Sequence, residues 1–122
     1  MDSFALKELA RDVINTEATA VASLVSRIDE AFVTACNLIL KCRGRIVVLG
    51  MGKSGHIAGK IASTMASTGT PAFFVHAAEA SHGDLGMITA EDVVLVLSNS
   101  GETDEVRQIL PLLKRLGVSI IA

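Results

Sequence analysis

The sequence predicts an α/β fold with a doubly wound parallel sheet, preceded by two helices. Two apolar runs, Ile46-Val47-Val48-Leu49 and Val93-Val94-Leu95-Val96-Leu97, each lead through a glycine- or serine-rich loop into a helical pattern. A third run, Ala72 to His76, lacks the polar alternation of a strand with one wet face, as expected of strands covered on both sides. Strand, loop and helix in repeated order leave little choice but parallel pairing.

Each element follows in turn. Leu6, Leu9, Val13, Val21, Leu24 and Ile28 recur at helical spacing, interrupted at Thr16 and Glu17, and predict one long amphipathic helix. Its length and its place ahead of the first strand suggest packing against a partner subunit, with an ordinary layer helix as the alternative. Asp29 and Glu30 suit the start of a second helix carrying Phe32, Val33, Cys36, Ile39 and Leu40, with Lys41 and Arg43 near its end and Gly44 as the stop. Residues 1–44 are thus leading helices and 45–122 the parallel part of a single domain spanning 1–122. Arg45 to Leu49 is the first strand, Ser54 to Ser67 a helix of small side chains ended by Gly69, and Ala72 to His76 the second strand. Ala77 to Met87 has no clean period and predicts a loop or short helix beside the strand ends. Asp92 to Ser98 is the third strand. The helix after it carries Val106, Ile109, Leu110, Leu113 and Leu116, is kinked or tightened near Pro111, and is stopped by Gly117. Val118 to Ala122 begins a fourth strand, so the domain is expected to be truncated at its C-terminal end.

Composition narrows the function. The 122 residues, half of them hydrophobic, suffice for one core, and the net charge of -2 offers no footprint for nucleic acid. The charged start does not resemble a secretory signal and no apolar run reaches the roughly 20 residues of a membrane span, so a cytoplasmic protein without membrane partners is expected. Cys36 and Cys42 form no CxxC pair and read as reduced, largely buried thiols.

The chemistry lies in two loops. Gly50-Met51-Gly52-Lys53-Ser54-Gly55 satisfies GxGxxG, but the second strand ends in Val75-His76 where a dinucleotide site wants an acidic residue, and Glu79 comes late. A nucleotide P-loop would need glycine where Val47 stands. Ser98-Asn99-Ser100-Gly101-Glu102-Thr103 instead places three hydroxyls and glycine-freed backbone at a helix N-terminus, which suits a single phosphate. Helix capping is the alternative use of those hydroxyls.

Together Gly50 to His56, His76, His82-Gly83-Asp84-Leu85-Gly86 and Ser98 to Glu102 resemble the sugar isomerase (SIS) domain, and within it the arabinose-5-phosphate isomerases that supply the Kdo pathway of lipopolysaccharide biosynthesis in Gram-negative bacteria. The resemblance implies a flavodoxin-like three-layer sandwich, a sugar phosphate as substrate, no cofactor, and a homo-oligomer, dimer or tetramer. It implies that Lys53 and Glu105 are catalytic, Lys53 steadying charge on the carbonyl oxygen and Glu105 moving the proton. Substrate is then bound by Gly52, Ser54, His82, Ser98, Asn99, Ser100, Gly101 and Thr103. The alternatives are a non-catalytic phosphosugar sensor and an isomerase of another sugar phosphate. His56, His76 and His82 match no zinc pattern, so no metal is expected. The family places further catalytic residues, and in some members CBS modules, beyond the equivalent of Ala122. These 122 residues alone are therefore expected to bind phosphosugar weakly, to oligomerise, and to show no appreciable turnover.

Overall fold

The computed structural model describes residues 2–122. They form a leading unit that extends to Thr34 and a second unit, Ala35–Ala122. In the leading unit, helix α1 (Ser3–Ser23) starts where the Asp2 carboxylate accepts the Ala5 N–H at 2.7 Å, and it tightens at its end into a 3-10 turn, Leu24–Arg27. The stripe Leu6, Leu9, Val13, Val21, Leu24 and Ile28 is present, and every member of it is exposed. Helix α2 (Glu30–Leu40) is capped by Asp29, whose Oδ1 accepts from the N–H groups of Ala31 and Phe32.

The second unit is a four-stranded parallel sheet in the order β2-β1-β3-β4, with β1 Ile46–Gly50, β2 Ala72–His76, β3 Val93–Val96 and β4 Ser119–Ile121. Period-two alternation sorts the aliphatic strands onto two faces. Ile46, Val48 and Val93 pack with Ala58 and Ala62 of helix α3 (Gly52–Ser67), joined by Ile39 and Cys42. Val47, Leu49, Val94 and Val96 pack on the opposite face with Val106, Ile109 and Leu113 of helix α5 (Asp104–Leu116), beside the single-turn helix α4 (Ala77–Ala80). Three layers with helices on both faces make this the doubly wound α/β architecture.

The structure corrects some local expectations and bears out others. Strand β2 is an edge strand, with only Val75 buried and Phe74 36% exposed, because β3 takes the place on the other side of β1. An unalternated apolar run cannot reveal strand order. The helix expected from Ser54 starts at Gly52, which brings Lys53 into its first turn. Ala77 to Met87 resolves into α4 and a 3-10 turn, Asp84–Met87. Helix α5 continues through Pro111 and ends at Gly117, whose left-handed backbone closes the last turn. Both cysteines are half-buried rather than buried.

One buried charge ties the sheet together at the start of its strands. Asp92, 3% exposed, accepts the Arg45 N–H through Oδ1 at 2.7 Å and the Thr89 N–H through Oδ2 at 2.8 Å. Gly44 makes room, since a Cβ there would stand 2.3 Å from Asp92 Oδ1. A buried carboxylate is tolerated when backbone donors satisfy it. Replacing Asp92 by Ala orphans both donors and is expected to cost about 3 kcal/mol. Urea unfolding measures this, and a loss below about 1 kcal/mol would show that the two N–H groups find other partners.

Candidate functional site

The site forms where β1 and β3, adjacent and parallel, send their chains to opposite faces of the sheet. From β1 the chain turns into α3, and from β3 into α5, so a crevice opens between the two loops at the ends of the strands. This reversal of winding is where open α/β sheets receive ligands. The strands are held in step there by the Leu97 N–H donating to Leu49 C=O at 2.8 Å.

The turn into α3 is tight because glycine permits it. A Cβ on Gly50 would lie 2.9 Å from the Ser54 backbone, so the first turn of α3 rests directly on the end of β1. Met51, extended, is the N-cap residue and makes no side-chain capping bond, while Gly52 adopts φ 58. The first N–H groups of α3 thus face the crevice side without a capping oxygen. Helix α5 repeats the arrangement, since its N-cap Thr103 also makes no side-chain capping bond. Two uncapped helix N-termini on neighbouring strands concentrate positive partial charge on one place.

The serine loop differs from the expectation in its use of the backbone. Ser98 Oγ accepts the Gly101 N–H at 2.9 Å, and Ser100 Oγ accepts the Glu102 N–H at 3.2 Å. Those two N–H groups are therefore consumed inside the loop, and Gly101 acts in folding it. A hydroxyl close in sequence competes readily for a turn amide. Each serine keeps its own O–H to donate outward.

A cavity of about 220 Å³ is lined by Met51, Ser54, Leu97, Ser98, Asn99, Ser100 and Thr103. Thr103, one of its lining residues, keeps its Oγ1 buried without a hydrogen-bond partner, which costs about 1–3 kcal/mol. A neighbouring cavity of about 330 Å³ shares Ser54, Leu97, Ser98 and Asn99 and adds Lys53 and Ile57. Of the residues singled out from sequence, Ser54, Ser98, Asn99, Ser100 and Thr103 gather in the first cavity and Lys53 in the second. Lys53 is exposed, and among the described residues the one ion pair is Arg11–Glu8 on α1, so its ammonium has no carboxylate partner. Glu105 is half-buried in the first turn of α5 and lines neither cavity. His82, exposed in the turn after α4, lines neither. Sequence reasoning did not mark Met51, Ile57 or Leu97, which carry no chemistry of their own and were detectable only by standing beside the polar loops.

His76, in register with Gly50, turns inward to cap α4, its Nδ1 accepting the Ala78 N–H at 3.2 Å. Among the described residues no three His, Cys, Asp or Glu side chains gather closely enough to hold a metal ion.

Comparison with known proteins identifies the family and the fold. The model of the SIS domain matches residues 39–122. An arabinose 5-phosphate isomerase, KdsD, of Pseudomonas aeruginosa is 62% identical over 113 residues, which is 93% of this chain and 35% of the relative. KdsD of Yersinia pestis is 54% identical over 115 residues, again 35% of its length. An Escherichia coli CFT073 protein solved in complex with A5P superposes with a TM-score of 0.93 at 44% identity, covering 98% of this chain and 64% of that one. The chain thus spans about 35% of the length of the curated relatives it matches.

Thr103→Val isolates the anion argument. The change removes an unpartnered buried hydroxyl with little change of shape, so the free protein should be no less stable, or more stable by up to about 1 kcal/mol. Affinity for inorganic phosphate should fall about 10-fold, as for loss of one charge-assisted bond. Thermal unfolding and calorimetric titration measure the two. Unchanged phosphate affinity would show that Thr103 Oγ1 does not serve an anion.

Proposed function

The chain belongs to the SIS domain family, and on that premise we propose that it carries the phosphosugar site of an aldose–ketose isomerase interconverting arabinose 5-phosphate and ribulose 5-phosphate. One observation carries the reading most. An anion cradle of two uncapped helix N-termini adjoins, across shared residues Ser54, Ser98 and Asn99, a cavity whose one charge is Lys53. A ligand with an anion at one end and a polarisable carbonyl at the other matches that pair of cavities. The names of the KdsD relatives and the A5P bound to the E. coli neighbour support the same ligand.

The phosphate takes the O–H donors of Ser98, Ser100 and Thr103 and the N–H groups at the start of α3 and α5. This fixes one end of an open-chain sugar and turns the reaction of its other end into a positioned, unimolecular step. In the aldose-to-ketose direction a base removes the proton on C2, the C2–H electrons form the C1–C2 double bond, and the carbonyl pair moves onto O1. The proton of the C2 hydroxyl passes to O1, the electrons left on O2 form the C2 carbonyl, and the C1–C2 double-bond pair takes the proton returned by the base at C1, so no oxidant or cofactor is consumed. Lys53 steadies the oxyanion of the enediol stage. A cation in the first turn of a helix opposes the dipole by about 0.3–1 kcal/mol, which favours a functional reason for its place. Glu105 is assigned the base, one helical residue beyond Asp104 in the turn that follows the phosphate loop. His82 is assigned to the substrate's hydroxyls, and arabinose 5-phosphate, formed in the reverse direction, feeds Kdo and lipopolysaccharide biosynthesis in the cytoplasm. The exposed apolar stripe of α1 supports a homo-oligomer.

A second reading, a phosphosugar sensor without turnover, draws on the position of Glu105, which lines neither cavity. It predicts binding without chemistry. Conversion of arabinose 5-phosphate to ribulose 5-phosphate by the longest protein that carries this chain distinguishes them. Under the isomerase reading, Lys53→Met should lower kcat by about 100-fold or more with the fold unchanged. An unchanged kcat would remove Lys53 from the mechanism, and tight binding without any turnover in the parent would favour the sensor.

A further inference from the structure

The second cavity has a chemical asymmetry that the phosphate site does not explain. Its shared end carries the polar Ser54, Ser98 and Asn99 beside Leu97, Lys53 supplies its charge, and Ile57 extends the apolar side of Leu97 beyond the first cavity. Ile57 is 58% exposed and belongs to neither core cluster, whereas Ala58, the next residue of the same helix, is fully buried. Single exposed aliphatic residues are ordinary on protein surfaces. The position is what matters, because Ile57 stands one turn beyond Lys53 on α3, at the spacing that puts two side chains on one helix face.

We infer that Ile57, with Leu97, forms an apolar wall that receives the carbon chain of the phosphosugar and sets its course from the anion cradle to Lys53. The inference rests on the reading of the first cavity as the phosphate site. An open-chain sugar phosphate has hydroxyls along one side and C–H groups along the other. With its phosphate among Ser98, Ser100 and Thr103, it reaches the second cavity by way of Ser54 and Asn99 without leaving the protein surface. Hydroxyls then meet the polar end and C–H groups meet Ile57 and Leu97. Both surfaces lose water, which favours binding in proportion to the area covered. Ile57 suits a selective wall because its β-branched side chain is held near one χ1 rotamer on a helix, so it presents a fixed shape. Inorganic phosphate fills only the first cavity, which Ile57 does not line.

That difference supplies the test. The 122-residue chain, its Ile57→Ala, Ile57→Leu and Ser100→Ala variants, are titrated with inorganic phosphate and with arabinose 5-phosphate, and thermal unfolding confirms that each variant folds. Ile57→Ala should weaken arabinose 5-phosphate by about 5- to 10-fold and leave inorganic phosphate unchanged. Ile57→Leu, which restores the apolar volume, should stay within about 2-fold of the parent for both ligands. Ser100→Ala should weaken both. Unchanged arabinose 5-phosphate affinity in Ile57→Ala, or an equal loss for both ligands, would overturn the inference while leaving the phosphate site in place. If the parent binds neither ligand, or Ser100→Ala loses nothing, the phosphate site itself fails and this inference falls with it.

Discussion

Everything at the site depends on how closely α3 can approach the end of β1. Gly50 has no Cβ, and one would collide with the Ser54 backbone. Gly55 answers from the helix side, where a Cβ would lie 3.3 Å from the Gly50 carbonyl oxygen. Because backbone meets backbone, a single extended residue, Met51, suffices to turn strand into helix. The amide groups of the helix therefore begin level with the strand ends instead of several residues beyond them. The small side chains of Ala58 and Ala62 continue the close contact down the sheet, so the whole helix lies near it. Without this approach the N-termini of α3 and α5 would not border one cavity, and the hydroxyls of the serine loop would face solvent alone.

The two ends of the sheet treat buried polar groups in opposite ways. At the start of the strands, Asp92 is fully provided for by two backbone donors and locks Arg45 and the Thr89 turn in place. At their ends, Thr103 keeps a buried hydroxyl without a partner and both helix N-termini lack a side-chain cap. The first arrangement is what stability alone would select. The second is locally unfavourable, and under the proposed function its unused donors serve the phosphate. Ser98 and Ser100 stand between the two: their oxygens accept from the loop's own backbone, which folds the loop before any ligand arrives, while their protons remain to donate.

Much of this was legible in the sequence because strand, loop and helix were each marked by composition. The aliphatic runs at Ile46 and Val93, the glycines around Met51 and the serines around Asn99 marked the elements, the parallel sheet and the two loops that border one cavity. What could not be read depended on relations between distant segments. The edge position of β2 follows from which side of β1 receives β3, and no residue of Ala72 to His76 records that choice. Asp92 looked like the first residue of a strand, since its partners lie in the Arg45 strand start and the Thr89 turn. Gly101 was read as a ligand donor, whereas its amide is engaged by Ser98. Glu105 was placed by its position after the serine loop, and helical periodicity then carries it off the cavity walls. Ile57 passed unremarked because an isoleucine in an amphipathic helix is ordinarily core.

Helix α3 divides its duties by face. Gly55, Ala58 and Ala62 meet the sheet and tolerate no enlargement without moving the helix, while Lys53 and Ile57 lie on a side that no core residue covers. The two faces therefore differ in what a substitution disturbs: on the inner face it disturbs folding, and at position 57, under the inference above, it would alter what the crevice accepts while the scaffold stays intact. If the proposed wall is right, ligand preference at this helix would be adjustable by single substitutions at position 57 without disturbing the contact that holds the helix to the sheet.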